Sequence, residues 1–457
     1  MKRFLSFACA VLMITTIITG CGQSATSEEK GINISIAIPK YTYDDTVKLI
    51  NSFEKSHPDI KVKTISFDSD PAKYLTAQAL NKSMPDLVFE DWDNIPFYIS
   101  QGWLMPLDKY FNADTEKKYV PTSLTSNLTY GGKLYALPCK LEFDAIFMNT
   151  DLLETLNIEK PKYDWTIDDF IQIMKKATTT KYSGIEKLWG FDEKFAAENV
   201  KDGSLYGYNI ATHKFDFSNS WVQAVSTFNS LRAVPGLEAW SLRGTDNAKY
   251  IQKFGSSGDI NDLEMAWKTG NVLCDGQLTS ERGWMRMMPF TYDVYPYPTY
   301  NKQVGQKIGI NANSSYMLST CKNPESAFQL LKFLTYGEEG QKLKLQTYLS
   351  HDADDPNSGL LEYFAPTTDP VIMNMLTSSP KVLPGLKYLA THMQNIYRSD
   401  LSKIVPNWEQ INNELISDKG NSVRDGKAEA AAIATELDQK ANEQITQAYA
   451  EFNKKLK

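Results

Sequence analysis

Alternating apolar and polar positions after residue 31 predict two strands joined by a helix. Isoleucines alternate with polar or small residues over positions 32–38, which is the two-residue period of a strand. Residues 44–57 carry apolar side chains at helical spacing, and residues 60–65 alternate again. This order predicts a βαβ unit and a parallel sheet. Because ligands bind beyond the carboxyl ends of parallel strands, Tyr41 is a candidate site residue.

A second pattern predicts that the chain leaves one sheet and enters another within residues 131–153. A Gly-Gly turn is followed by an apolar strand at residues 134–137, then by Pro138, then by a second apolar strand at residues 145–148. Since proline lacks a ladder donor, we expect Pro138 to interrupt the strand. Glu142 and Asp144 lie between the two strands, where two lobes would face each other, and are candidate ligand contacts.

Later segments of the sequence predict further helices and a second crossover between the lobes. Thr166 and Asp169 form a capping-box pattern before an amphipathic helix. Two prolines near Tyr295 predict an extended second crossover at residues 293–298, with this tyrosine facing the cleft. Apolar residues spaced by three or four over positions 433–456 predict a terminal helix that packs on its own domain.

Length and composition limit the class of protein. A chain of 457 residues exceeds one ordinary core, so we expect two domains. The contents of 42% apolar and 23% charged residues exclude general disorder. A net charge of −7 without a basic block argues against a nucleic-acid partner. The 24 tyrosines and 9 tryptophans suit a surface for a partly apolar, hydroxylated ligand, although rings also fill cores.

The N-terminus has the pattern of a secretory signal. A short positive segment precedes an apolar run at residues 4–18, and small residues lead to Cys21. Residues 18–21 resemble the bacterial lipobox, which implies a signal peptide over residues 1–20, diacylation of Cys21 and a polar tether over residues 21–31. The alternative is a plain signal peptide in which this cysteine is incidental.

The crossover segment carries a family resemblance. GGKLYALP followed by DAIFMNTDLL resembles the crossover strand of the extracellular solute-binding proteins of ABC transporters, in the branch typified by maltose- and oligosaccharide-binding proteins. The resemblance implies the α/β, two-lobed, type II periplasmic-binding-protein fold, with a hinge and a sugar site in the interlobe cleft. The implied division is an N-terminal lobe at 32–139 and 299–337, a C-terminal lobe at 140–292 and 338–457, and hinge crossovers near 138–144, 293–298 and 337–352.

The resemblance extends to the ligand contacts. PDLVFEDWD resembles the family's strand after which acidic and aromatic residues reach the ligand, which implies roles for Asp91 and Trp92. The alternative is that the acids only cap the helix that begins near Ile95. TGNVLCDG resembles a strand that enters the cleft, but the aromatic that often follows is absent. Trp284 either replaces it or lies in the core. The implied ligand-binding residues are Tyr41, Asp91, Trp92, Glu142, Asp144, Trp240, Asp275, Trp284 and Tyr295.

We therefore expect a lipid-anchored carbohydrate-binding protein on the outer face of the bacterial cytoplasmic membrane. It would be a monomer, would close on a mono- or oligosaccharide and would be recognised by the transmembrane subunits of an ABC permease. One alternative is a protein of the same fold for another solute, such as a peptide. A second is a secreted glycosidase that uses Asp91 and Glu142. No catalytic, cofactor or metal motif is visible in the sequence, so we expect a binding protein without a cofactor, not an enzyme.

Overall fold

The computed structural model describes residues 31–68, 70–92, 94–188, 190–191, 207–210, 212–244, 247–255, 266–281, 287–300, 306–350 and 364–456. The strands are β1 Ile32–Pro39, β2 Ile60–Phe67, β3 Leu87–Asp91, β4 Thr129–Tyr130, β5 Lys133–Leu134, β6 Leu137–Asn149, β7 Ser183–Ile185, β8 Tyr208–Asn209, β9 Lys214–Phe215, β10 Val272–Leu278, β11 Tyr292–Tyr295, β12 Ile308–Met317 and β13 Ile396–Arg398. The α-helices are Tyr43–Ser56, Pro71–Leu80, Ile95–Ser100, Asp108–Ala113, Thr122–Ser126, Thr150–Thr155, Ile167–Ala177, Ser220–Arg232, Ala248–Phe254, Pro324–Thr335, Glu338–Ser350, Pro370–Ser378, Pro384–Thr391, Leu401–Ile404, Trp408–Ile411, Ser417–Arg424 and Ala430–Lys455.

The strands form one long mixed sheet in the order β2-β1-β3-β12-β6-β10-β7, with β13 paired to β12 and β11 paired to β6. Strand β1 runs parallel to both β2 and β3, which confirms the predicted βαβ unit. Strand β12 runs antiparallel to both β3 and β6. The helix Pro324–Thr335 packs against β1, β3, β6 and β12 and covers one face of this part of the sheet.

Strand β6 connects the two halves of the sheet without a break. Its first half pairs with β12, from Leu137 to Phe143, and its second half pairs with β10 and β11, from Asp144 onward. The prediction that Pro138 interrupts the strand is therefore wrong. The register with β12 shifts between Lys140 and Pro138, so a bulge accommodates the position that cannot donate a ladder hydrogen bond.

Strands from both halves of the sheet point their carboxyl ends at the same place. In the first half, β6 runs in the same direction as β1, β2 and β3, toward Phe143 and Asp144. At these two residues its pairing changes from β12 to β10 and β11, and we call this point the handover. In the second half, β10 runs antiparallel to β6 and reaches Asp144 with its last residue, Leu278. Side chains that follow these strands therefore meet around the handover, which is where ligands bind in open α/β sheets.

The terminal helix Ala430–Lys455 has the predicted buried stripe, which includes Leu437, Ala441 and Ile445. It contacts the helix Ser220–Arg232 and also the helix Ile95–Ser100. Its last turn packs Phe452 against Tyr130, with the ring centroids 5.5 Å apart. The helix therefore touches elements on both sides of the handover and not only its expected domain. Among the described helices, none is both long and apolar enough to span a bilayer.

We expect Gly309→Ala to destabilise the handover. A methyl group at this position would overlap the carboxylate of Asp144 and lie 2.9 Å from the hydroxyl of Tyr397, and both side chains are buried. Overpacking of this kind lowers the free energy of unfolding by about 1 to 3 kcal/mol, which thermal denaturation will measure. The matched control is Gly244→Ala, because no atom lies within 4 Å of its added methyl group. Equal melting temperatures for the two variants would contradict the prediction.

Candidate functional site

An aromatic pair stands at the carboxyl ends of β1 and β3. Tyr41 and Trp92 have ring centroids 5.4 Å apart and an interplanar angle of 50°. Tyr41 is 54% exposed and Trp92 is half-buried, so both rings reach solvent at the edge of the sheet. The two strands are parallel neighbours, which explains why residues 51 positions apart meet here. Such rings can cover the apolar face of a ligand.

A buried ion pair lies beside the aromatic pair. The Nζ of Lys140 lies 2.8 Å from Oε1 of Glu90, and both side chains are 5% exposed. The same nitrogen lies 3.9 Å from Oε1 of Glu142 and 5.3 Å from the ring centroid of Tyr41. Burial raises the pKa of Glu142, while the charges of Lys140 and Lys403 act in the opposite direction.

Two asparagines and a lysine extend this polar surface along β12. Asn311 lies opposite Glu142 and Asn313 lies opposite Lys140 in the register of β12 with β6. Lys403 donates hydrogen bonds from Nζ to Oδ1 of Asn311 at 2.7 Å and of Asn313 at 3.1 Å. None of these three residues was predicted as a ligand contact from the sequence. The two asparagines are two positions apart on a predicted strand, which could have indicated that they share one face. Lys403 is brought beside them only by the tertiary structure.

The lysine is held in place by a buried carboxylate. The Nζ of Lys403 lies 3.5 Å from Oδ2 of Asp400, and Arg398 donates two hydrogen bonds to the same carboxylate at 2.6 and 2.7 Å. Burial opposes ionisation of Asp400, but the charge and hydrogen bonds of Arg398 lower its pKa overall. The carboxylate therefore stays charged and fixes both cations.

A groove of about 890 Å³ runs away from Trp92. One wall comes from the segment after β3 and the start of the helix Pro71–Leu80, and the other from residues 402–410 and the end of the terminal helix. Trp408 adds a second tryptophan to the lining. The lining residues are Asp70, Pro71, Trp92, Asn94, Pro96, Phe97, Ser100, Ser402, Lys403, Pro406, Asn407, Trp408, Glu409, Gln410, Ala448, Glu451, Phe452 and Lys455.

On the far side of the handover, Trp240 is exposed and Asp275 is fully buried. The indole of Trp240 stacks against the guanidinium of Arg243 at 3.9 Å, and its backbone N–H donates to the carbonyl of Glu186. Asp275 accepts a hydrogen bond at 2.8 Å from Gln277. Among the predicted residues that the structure describes on this side, Trp240 is therefore exposed enough for a ligand to reach directly.

The structure removes two predicted residues from the ligand-facing surface. Asp91 is 1% exposed and accepts a hydrogen bond from the hydroxyl of Tyr316, so its carboxylate serves the core. It does not cap the next helix either, because Asn94 accepts the hydrogen bond of that cap from Phe97 at 3.0 Å. Tyr295 is 3% exposed and its ring packs between those of Tyr163 and Trp165, so it does not face the cleft.

Other predicted residues have distinct positions. Asp144 is buried at the handover, opposite Leu278, and its carboxylate lies beside Gly309. Trp284 and Cys21 lie outside the described residues. Within the described part of the chain, no group of three or more His, Cys, Asp or Glu side chains could hold a metal ion.

Comparison with known proteins identifies the family. The family model for the bacterial extracellular solute-binding protein matches residues 37–342, more than half of the chain. The chain belongs to this family. The protein is also similar to the galactooligosaccharide-binding protein of Bacillus subtilis (strain 168), with 26% identity over 352 residues, 74% of this chain and 78% of the relative.

Solved structures show that this solute-binding protein has the two-lobed α/β fold. The sugar-binding protein MalE from Xanthomonas citri matches with a TM-score of 0.69 and 15% identity, over 92% of this chain and 99% of that one. The ABC substrate-binding protein Lmo0181 from Listeria monocytogenes, in complex with cycloalternan, matches with a TM-score of 0.65 and 18% identity, over 91% and 99%. The predicted family and fold class are thus confirmed.

The solute-binding protein should lose stability as the pH rises toward 7 because of Glu186. Burial first, and then the nearby charge of Asp275, raises the pKa of Glu186 from 4.5 to about 7. Between these values the unfolded chain releases its proton while the folded chain keeps it, so folding becomes less favourable as the pH rises. A shift of this size corresponds to roughly 3 kcal/mol.

We expect Glu186→Gln to remove most of this dependence, because the amide stays neutral. Chemical denaturation near pH 5 and near pH 8 will measure the free energy of unfolding on both sides of the window. The matched control is the exposed Glu429→Gln, which should keep the pH dependence of the parent protein. An equally steep dependence in Glu186→Gln would show that another group is responsible.

Proposed function

We propose that this solute-binding protein captures a mono- or oligosaccharide in the groove beside Trp92 and presents it to the transmembrane subunits of an ABC importer. The observation that carries this proposal is the aromatic pair of Tyr41 and Trp92 at the strand ends. The polar side chains of Lys140, Glu142 and Asn311 form a row beside this pair. A pyranose offers one apolar face and a rim of hydroxyls. Rings suit the face, and amide, ammonium and carboxylate groups suit the rim.

The comparisons support a sugar as the ligand class. The relative from Bacillus subtilis is named for galactooligosaccharides, and the structure from Listeria monocytogenes holds cycloalternan. The charges of the candidate site also support a sugar. Its cations face carboxylates or amide oxygens: Lys140 pairs with Glu90, and Lys403 with Asp400 and two asparagines. A neutral ligand with many hydroxyls therefore suits the site better than an anion.

We further propose that the lobes comprise residues 32–139 with 299–337, and residues 140–292 with 338–457. The handover within β6 would be one hinge strand and residues 293–298 another. The third proposed crossover, near residues 337–352, contains the helix Glu338–Ser350. A ligand that contacts both lobes would stabilise the closed state by its higher affinity for that state.

The alternatives have less support. A glycosidase using Asp91 and Glu142 would need both carboxyl groups at the substrate, whereas Asp91 is bound to Tyr316 in the core. A peptide-binding protein of the same fold would need charged groups for the peptide termini. No observation on the described residues favours either function over sugar binding.

Fluorescence titration tests the ligand class. A soluble form that begins after Cys21 should show saturable changes in tryptophan emission with at least one sugar of a mono- and oligosaccharide panel, without product formation. Formation of a product would show that the protein is a glycosidase. No change in emission with any sugar, together with binding of a peptide, would show that the ligand belongs to another class.

We expect Trp92→Ala to weaken binding of that sugar by about 30-fold, since removal of a central aromatic contact typically costs about 2 kcal/mol. Calorimetric titration will measure the dissociation constant. Trp92→Phe is the matched control, because it keeps a ring at this position and should lose much less affinity. Equal affinities for the alanine variant and the parent protein would remove Trp92 from the site.

We also propose that the protein is a monomer held on the outer face of the bacterial cytoplasmic membrane by acyl chains on Cys21. The sequence before this residue has the order of a bacterial lipoprotein signal. Cys21→Ala should move the protein from the membrane fraction to the soluble extracellular fraction, as measured by immunoblotting of fractionated cells. Retention of the variant with the membrane would favour a different anchor.

A further inference from the structure

Lys140 occupies an unusual position for a lysine. Its side chain is only 5% exposed, and its Nζ lies 2.8 Å from the equally buried Oε1 of Glu90. The same nitrogen lies 5.3 Å from the centroid of the Tyr41 ring. Tyr41 in turn lies 5.4 Å from Trp92. One cation thus links β6 to the aromatic residues that follow β1 and β3.

Stability alone does not account for this arrangement. Removing two charges from water opposes folding, and apolar residues of similar volume commonly replace a buried ion pair without loss of stability. Glu90 also has a φ of 60°, in the left-handed region that residues with a Cβ rarely adopt. Both unfavourable features lie beside the aromatic pair, where strain and buried charge commonly serve a site.

The cation has a direct physical effect on Tyr41. This tyrosine lies in the short 3-10 turn Lys40–Thr42, and 54% of it is exposed, so the surrounding protein covers less than half of its surface. An ammonium group over a ring attracts the negative face of the ring and is most effective when it is shielded from water. A ring held before the ligand arrives avoids the loss of conformational entropy during binding.

We propose that Lys140 is a positioning residue that fixes Tyr41 against Trp92 and so prepares the aromatic platform for a sugar ring. Glu90 holds the ammonium group, and the hydroxyl of Ser315 accepts the backbone N–H of Glu90 at 3.0 Å, which fixes the strained residue. The inference rests on the proposed function, because the platform is assigned to that ligand.

A double-mutant cycle between Lys140 and Tyr41 tests this role. Lys140→Met keeps the length of the side chain and removes the charge, and it should weaken sugar binding roughly 5- to 20-fold. In the Tyr41→Leu background the same substitution should have almost no further effect, since the ring that it positions is absent. The matched control is the exposed Lys63→Met on β2, the strand that pairs with β1, which should leave affinity unchanged.

Glu90→Gln with Lys140→Met tests whether folding explains any loss. This double variant removes both buried charges together and should keep the melting temperature close to that of the parent protein. Its sugar affinity should nevertheless remain low, because the cation beneath Tyr41 is still missing. Restored affinity in the double variant would overturn the proposal, as would an equal loss from Lys140→Met with and without Tyr41.

Near-ultraviolet circular dichroism separates this proposal from the proposed function. The ligand-free protein should have a signal from the coupled rings of Tyr41 and Trp92, obtained as the difference from Tyr41→Leu. Lys140→Met should reduce that signal, and Lys63→Met should preserve it. If no sugar binds the parent protein, the proposed function fails, whereas the spectrum still decides the positioning role. An unchanged spectrum in Lys140→Met would overturn that role.

Discussion

The passage of β6 through both halves of the sheet is the constraint on which the site depends. Backbone hydrogen bonds hold its first half to β12 and its second half to β10 and β11. Asp144 and Phe143, at the handover, are therefore fixed by both halves at once. If the lobes rotate about the crossovers that we propose, a few torsion angles of this strand and of the return at residues 293–298 would absorb the rotation.

The electrostatics of the site follow from the same geometry. Parallel strand ends bring many backbone and side-chain polar groups together where water is partly excluded, so an isolated charge would be strongly unfavourable. The protein meets this constraint with pairs: Glu90 with Lys140, and Asp400 with Arg398 and Lys403. Such pairs are weak sources of stability, and their value lies in fixed geometry. A surface of fixed, compensated charges beside exposed rings is polar enough for hydroxyls and has little net attraction for ions.

Local patterns predicted the fold where the responsible interactions are local. The isoleucine alternation in β1 and the stripe of the terminal helix both appear as expected. The capping box of Thr166 and Asp169 also forms, with both of its hydrogen bonds present. The failure at Pro138 has a different origin. Whether a proline breaks a strand depends on its partner, and the partner here is Ser314, 176 positions later.

The site was predicted less completely because long-range pairing decides which side chains reach the ligand. Tyr41 was expected at the site from the strand pattern, and Trp92 was expected there from the resemblance of PDLVFEDWD to the family's strand. Asp91, one residue earlier, has the same sequence environment, yet Tyr316 on β12 binds its carboxylate in the core. Lys403 is contributed by the segment that follows β13 in the chain, and no pattern near it in the sequence indicates its position beside Asn311.

The unequal halves of the site bear on how ligand binding could drive closure. Tyr41 and Trp92 both belong to the proposed first lobe, so a ligand can contact this aromatic pair whether the lobes are open or closed. Contacts that exist in both states contribute affinity but do not shift the equilibrium between them. Under the proposed division into lobes, the free energy that favours closure would therefore come from contacts with the second lobe, which contains Lys140, Lys403 and the exposed Trp240. In this arrangement the aromatic pair would supply affinity in both states, and contacts with the second lobe would supply the difference between them.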